Sequence, residues 1–220
     1  MMPDTLPRIV VLISGGGTNL QALIDAEAAG TLDGTIAGVI SNRTGVKGLD
    51  RAESAGIPAQ AIPHRDHDSR ESFDQALMAA IDGFRPDLVV LAGFMRILTD
   101  AFVQHYQGRL LNIHPSLLPA WPGLHTHRKV LEAGEKEHGA TVHFVTEELD
   151  GGPRIIQGRV RVHPDDNEDS LAGRVGVQER RIYPEAVRWF CQGRLRLVQG
   201  RAQLDGTPLD EPVDPDSQNT

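Results

Sequence analysis

The sequence predicts an α/β fold: a doubly wound, mostly parallel, Rossmann-like sheet in a single domain, with a C-terminal antiparallel extension. Short apolar, β-branched-rich runs alternate with helix-period segments from Arg8 to His114, the pattern of strands joined by crossover helices. A glycine run, Gly15-Gly16-Gly17, falls where the first strand passes into the first helix. At 220 residues the chain buries one sizeable core more readily than two.

Arg8 to Ser14 reads as the first strand, and Leu20 to Ala29 has helical spacing after the loop Gly15 to Asn19. Thr35 to Ser41 is a strand, Val46 to Ala55 a helix, Ile57 to Ile62 a strand and Ser69 to Gly83 a helix. Asp87 to Ala92 and Arg109 to His114 continue the strands. A Pro/Gly/His-rich loop then runs through His127, followed by a short helix over Arg128 to Ala133. Ala140 to Thr146 and Arg154 to Val162 are strand-like and flank the turn Glu147 to Pro153. The last helix is expected from about Asn167 to Phe190, with Glu168 and Asp169 at its positive end and Pro184 kinking or shortening it. These boundaries give an N-terminal extension over 1–7 and one domain over 8–200, with a phosphate-binding half at 8–108 and a catalytic half at 109–200. Residues 201–220 are expected to be a polar tail, disordered and acidic from Leu209.

Acidic residues outnumber basic ones by 30 to 22, and no Lys/Arg-rich block stands out, which argues against nucleic acid as a partner. The single cysteine, Cys191, excludes an intrachain disulfide and any multi-thiolate metal site and fits a reducing compartment, the cytoplasm being the simplest. No signal-peptide pattern opens the chain and no apolar run reaches the length of a membrane span.

Ser14 to Asn19 can cradle a phosphate, because a glycine-rich turn at a helix start presents backbone N–H groups to an anion. A bare tight turn would look the same. A dinucleotide fingerprint would need glycine at Leu20 and an acidic residue near Ser41-Asn42-Arg43, and a Walker loop would need a lysine where Thr18-Asn19 stands. NAD and ATP chemistry are therefore disfavoured, and the remaining ligand is a small phosphorylated metabolite on Gly17, Thr18 and Asn19.

At Leu110 to Pro119 a strand-like run ends in polar groups. Residues two apart on a strand share a face, so Asn112 and His114 project together while Ile113 turns inward, and Pro115 ends the ladder. A satisfied histidine beside a turn and a catalytic pair are both open readings. Asp150, just before Gly151-Gly152-Pro153, belongs either to an ordinary turn or to His114; facing the imidazole, its charge would favour the imidazolium. Such a set stabilises an oxyanion and moves a proton without a metal. Six of nine histidines lie between His105 and His143, but His125-Thr126-His127 has no adjoining ligand pattern, so no metal is expected. His125 and His127 read as a polar loop able to order over a ligand, and His143 as a hydrogen-bonding support.

Leu91 to Leu98, Asn112 to Pro119, Gly123 to His127 and Glu148 to Pro153 resemble the motifs of the folate-dependent formyltransferases, and among them the phosphoribosylglycinamide formyltransferases of purine biosynthesis. The resemblance spans Arg8 to about Leu197. It implies formyl transfer from 10-formyltetrahydrofolate, as co-substrate, to the amine of glycinamide ribonucleotide. It places the ribonucleotide on Gly17, Thr18, Asn19 and Glu179, and the folate on Arg70, Met95, Arg96, Ile97, Leu98, Asn112, Thr146, Glu147, Glu148, Leu149 and Asp150. Asn112 would bind the formyl oxygen, His114 would be general acid and oxyanion stabiliser, and Asp150 would hold the histidine protonated. Small molecules are the implied partners of a monomer or weak homodimer. Another folate-dependent formyltransferase, a 10-formyltetrahydrofolate hydrolase and a non-catalytic phosphometabolite binder are the alternatives. The chain departs from the pattern at Gly176, where a glutamine is common, and at Gly16, where a polar residue is common.

Overall fold

The computed structural model describes residues 5–217. The chain divides into two compact units, the first ending at Leu111 and the second beginning at Asn112.

In the first unit, β1 (Arg8–Ile13) is the centre: Ile9 to Ile13 are all at 0% exposure, the near-continuous apolar run of a strand covered on both faces. It pairs in parallel with β2 (Thr35–Ser41) on one side and β4 (Leu88–Leu91) on the other, while β3 (Ala59–Ala61) adds beyond β2. The chain thus builds outward from β1 through β2 to β3 and returns to the opposite side of β1 with β4. The crevice between β1 and β4 is a topological switch point, where open α/β sheets bind ligands at the strand carboxyl ends.

Helices α1 (Thr18–Ala28), α2 (Lys47–Ser54) and α3 (Arg70–Gly83) fill the crossovers, and a 3-10 turn at His64–Asp66 precedes α3. Two cues place the helix starts. Gly17 caps α1 in the left-handed region, φ 70°, so the helix begins at Thr18, two residues before the spacing predicts. Ser69 accepts from Ser72 N–H while Ser72 accepts from Ser69 N–H, a capping box that opens α3. Phe73, Leu77 and Ile81 recur at helical spacing on α3 and are fully buried. A further short helix, α4 (Asp100–His105), was not expected; Thr99 caps it by accepting from Phe102 N–H.

Strand β5 (Leu110–His114) carries the unit boundary. In the second unit, β6 (Glu137–Phe144) pairs antiparallel with β7 (Arg154–Arg161). Within the first unit the strand order is β3-β2-β1-β4. Strand β6 starts before the predicted Ala140 because Gly139 allows β7 to approach; a Cβ there would lie 2.0 Å from Gly158 O. Helix α5 (Thr126–Ala133) starts two residues before Arg128, and α6 runs from Glu168 to Cys191. Pro184 does not shorten α6, whose flanking Ile182, Tyr183, Ala186 and Val187 are all at 0% exposure, so their burial offsets the missing backbone donor.

The expected disordered tail is corrected over 201–217, while Gln218 to Thr220 lie outside the described residues. Strands β8 (Leu195–Val198), β9 (Arg201–Leu204) and β10 (Thr207–Pro208) form a small antiparallel sheet. The chain then returns along the edge of β7: Gln157 N–H donates to Val213 O and Val213 N–H to Ile155 O, each at 2.9 Å. Its acidic residues, read above as solvated, meet arginines: Asp214 lies 3.8 Å from Arg159 and Asp216 lies 2.8 Å from Arg181. Composition signalled a solvated segment, but an uncovered sheet edge supplied it with backbone partners.

Among the described residues no helix is long and apolar enough to cross a membrane.

Candidate active site

The second unit brings together Asn112, His114 and Asp150. Pleating points Asn112 and His114 to one face of β5, and the turn after His114 is held tightly: Ser116 Oγ donates to Ala120 O at 2.7 Å, and Thr141 Oγ1 donates to Ser116 O at 2.7 Å. His114 is 6% exposed. Its Nε2 lies 3.0 Å from the Trp121 carbonyl, which can only accept, so Nε2 carries a hydrogen. Its Nδ1 lies 3.5 Å from Asp150 Oδ2. Both ring nitrogens thus face acceptors.

Asp150 sits in the left-handed region, φ 54°, and its Oδ2 also accepts from Gly123 N–H at 2.9 Å. Trp121 and His125, at φ 59° and 60°, share this conformation, which non-glycine residues adopt at a cost repaid by their surroundings. The backbone of the 121–125 loop therefore supplies an acceptor to His114 and a donor to Asp150. Neither group leaves a side-chain signal in the sequence.

His143 is the support expected of it. Its Nδ1 donates to Phe144 O at 2.9 Å, so Nε2 is left as an acceptor, and Asn112 Nδ2 donates to it at 3.1 Å. Burial pushes the His143 ring below the usual histidine range, keeping it neutral and able to accept. This fixes which end of the Asn112 amide is the nitrogen. His127 and His138 contact one another at 3.0 Å, and burial lowers both, His138 to about 4. His127 is thus tied to β6, while His125 is the residue preceding α5.

Among the described residues, no group of three or more His, Cys, Asp and Glu is arranged to hold a metal ion.

In the first unit, the glycine loop after β1 is shaped by α2. Gly48 N–H donates to Gly15 O at 3.0 Å, and Arg51 Nε donates to Gly16 O at 2.8 Å. These bonds turn the loop carbonyls towards α2, and the first amides of α1 have no intrahelical acceptor. Gly17 and Gly48 must both lack side chains, since a Cβ on Gly17 would lie 2.7 Å from Gly48 Cα. Thr18 is exposed and Asn19 buried. Ser14, read above with the cradle, is instead buried at 3% exposure and its hydroxyl is engaged within the fold.

The loop after β4 presents Met95 and Ile97 at 63% and 59% exposure and buries Leu98. Its far end is clamped by α3: Arg70 Nη2 donates to Leu98 O at 3.2 Å, while Thr99 N–H donates to Asp74 Oδ2 at 2.7 Å. Both bonds act on the same peptide group. Arg96 stacks its guanidinium 4.9 Å from the Phe73 ring centroid. Asp74 carries no chemical motif in the sequence, although a carboxylate on the buried face of α3 was a usable signal.

Thr146 Oγ1 donates to Glu148 O at 3.4 Å, and Glu147, Glu148 and Leu149 are exposed. A cavity of about 450 Å³ lies on the flank of this turn, lined by Thr146, Glu148, Gly152, Arg154, Arg201 and Glu211, and does not include Asn112, His114 or Asp150. Glu179 is half-buried on α6. At Gly176 an added Cβ would meet Arg180 Nη1 at 3.0 Å, so the arginine one turn on lies beside the missing side chain.

The first unit thus carries a glycine loop at its switch point, and the second a buried imidazole between a carboxylate and a carbonyl. The comparisons are specific. The model of the formyl transferase family matches residues 7–187, and the chain belongs to that family. It is 56% identical over 202 residues to the phosphoribosylglycinamide formyltransferase of Escherichia coli K12, covering 92% of this chain and 95% of that protein. The solved phosphoribosylglycinamide formyltransferase of Coxiella burnetii superposes with a TM-score of 0.89 at 52% identity, over 94% of this chain and 96% of that one. A formyltetrahydrofolate deformylase from Pseudomonas syringae superposes with a TM-score of 0.85 at 28% identity, over 91% of this chain and 66% of that one.

Proposed function

We propose that this protein transfers a formyl group from 10-formyltetrahydrofolate to the primary amine of glycinamide ribonucleotide. The observation that carries the reading is the convergence of Asn112, His114 and Asp150 at one strand end, with His114 held between Asp150 and the Trp121 carbonyl. The relatives in Escherichia coli and Coxiella burnetii are phosphoribosylglycinamide formyltransferases, which supports the same acceptor.

The amine nitrogen attacks the formyl carbon, and the carbonyl electrons move to oxygen. Asn112 Nδ2, oriented by His143, and the protonated His114 stabilise that oxyanion. As the intermediate collapses, the bond from carbon to folate N10 breaks. N10 gains a proton while the former amine loses one, so the reaction is proton-neutral. His114 delivers the proton to N10 and is restored by the proton that the amine gives up, while Asp150 favours its charged form. Gly17, Thr18 and Asn19 hold the ribonucleotide phosphate through the α1 amides, and Glu179 contacts the acceptor. Arg70, Met95, Arg96, Ile97 and Leu98, together with Asn112 and Thr146 to Asp150, contact the donor.

The likeness to a deformylase makes water the competing acceptor. Incubation with 10-formyltetrahydrofolate, with and without glycinamide ribonucleotide, separates the two: the expected result is turnover that requires the ribonucleotide. Equal turnover without it would replace this reading by hydrolysis.

A further inference from the structure

Strands β2, β1 and β4 end side by side, with Ile13 in register with Ser41 and Leu12 with Leu91. The chain leaves β1 as the glycine loop and β4 as the Met95 loop, on the two sides of the switch point. Ser14, the first residue after β1, touches both neighbouring strand ends. Its hydroxyl donates to Asn42 Oδ1, just beyond β2, at 2.6 Å, and accepts from Met95 N–H, beyond β4, at 2.7 Å.

Both capacities of the hydroxyl are committed. Its single hydrogen goes to Asn42, so towards Met95 it can only accept. Asn42 is itself fixed: it is 1% exposed, and its backbone carbonyl accepts from His64 N–H at 3.3 Å and lies 3.0 Å from His64 Nδ1. The Met95 loop is therefore held at two points, by Ser14 at the Met95 amide and by Arg70 and Asp74 at the Leu98–Thr99 peptide. Between them Met95 and Ile97 are held outward, apolar and exposed.

We infer that Ser14 is a positioning residue, holding the phosphate loop and the formyl-donor loop in one geometry across the switch point, and not a phosphate ligand. The inference rests on the proposed function for the ligands of the two loops. A ligand that orders either loop acts on the same hydroxyl, so each should strengthen binding of the other by an equal factor.

The test uses the full chain and two variants, Ser14→Ala, which removes the hydroxyl, and Ser14→Thr, which keeps it. Hydrogen exchange at the Met95 amide, without ligand, should quicken about tenfold in S14A, the size expected for one lost buried hydrogen bond. The KM for 10-formyltetrahydrofolate should rise about tenfold while kcat stays within about threefold, because loss of loop geometry weakens binding more than the untouched Asn112, His114 and Asp150 chemistry. S14T should restore both. A lowered melting temperature with unchanged donor KM and unchanged Met95 exchange would overturn the inference, leaving Ser14 a packing residue. If the methyl of S14T prevents folding, the S14A exchange and KM values decide. If the wild-type chain transfers no formyl group to the ribonucleotide, the proposed function fails, and the exchange comparison still decides the role of Ser14.

Discussion

His114 lies between two acceptors, the Trp121 carbonyl at Nε2 and Asp150 at Nδ1. The acid role proposed for it rests on these neighbours and not on residue type alone. Replacing it by Ala should lower kcat about 10²–10⁴-fold while donor binding, measured by equilibrium titration, changes little. Retention of near-normal kcat would remove His114 from the reaction. The pair Asn112 and His114 was legible in the sequence because strand period two puts them on one face, and Asp150 because it stands just before Gly151-Gly152-Pro153, the resemblance favouring the catalytic reading over a plain turn. The groups that complete the site were not legible. The Trp121 carbonyl and Gly123 amide belong to a loop whose conformation, not its side chains, brings them in. Ser14 was placed in the cradle by adjacency to glycines, whereas its engaged hydroxyl turns it inward.

The contact between α5 and β6 carries a pH dependence. His127 and His138 hydrogen-bond at 3.0 Å, and burial keeps both neutral, His138 down to about 4. An unfolded histidine titrates near 6.5, so below about pH 6.5 the unfolded chain takes up protons that the folded pair resists, His138 down to about pH 4. Stability is thus undiminished above that window and falls as pH drops through it. Urea unfolding at pH 7.5 and pH 5 should show a lower midpoint at pH 5, and His138→Gln should flatten the difference. An equal pH dependence in the variant would assign it to other groups. Among the elements, the parallel strands were read closely, since their apolar runs are covered on both faces. Helix α4 was missed because it is short and begins at a Thr99 cap within a loop. The start of α1 was displaced because Gly17 adopts the left-handed turn that ends one element and opens the next.

At the scale of the whole molecule, sheet edges explain what composition could not. Residues 209–217 are acidic and proline-bearing, yet Val213 bonds to the open edge of β7 and its neighbours meet arginines. Truncation after Pro208 should lower unfolding free energy by about 1–3 kcal/mol and promote concentration-dependent association, seen by light scattering, as an uncovered edge invites pairing. Unchanged stability and an unchanged mass would show that the edge needs no cover. The fold and the family support transfer of the formyl carbon to an amine and not to water. Following a ¹³C-labelled formyl donor by mass spectrometry in the presence of glycinamide ribonucleotide tests this most directly. The expected result is label on the acceptor amine in proportion to tetrahydrofolate formed; label recovered as free formate instead would contradict it.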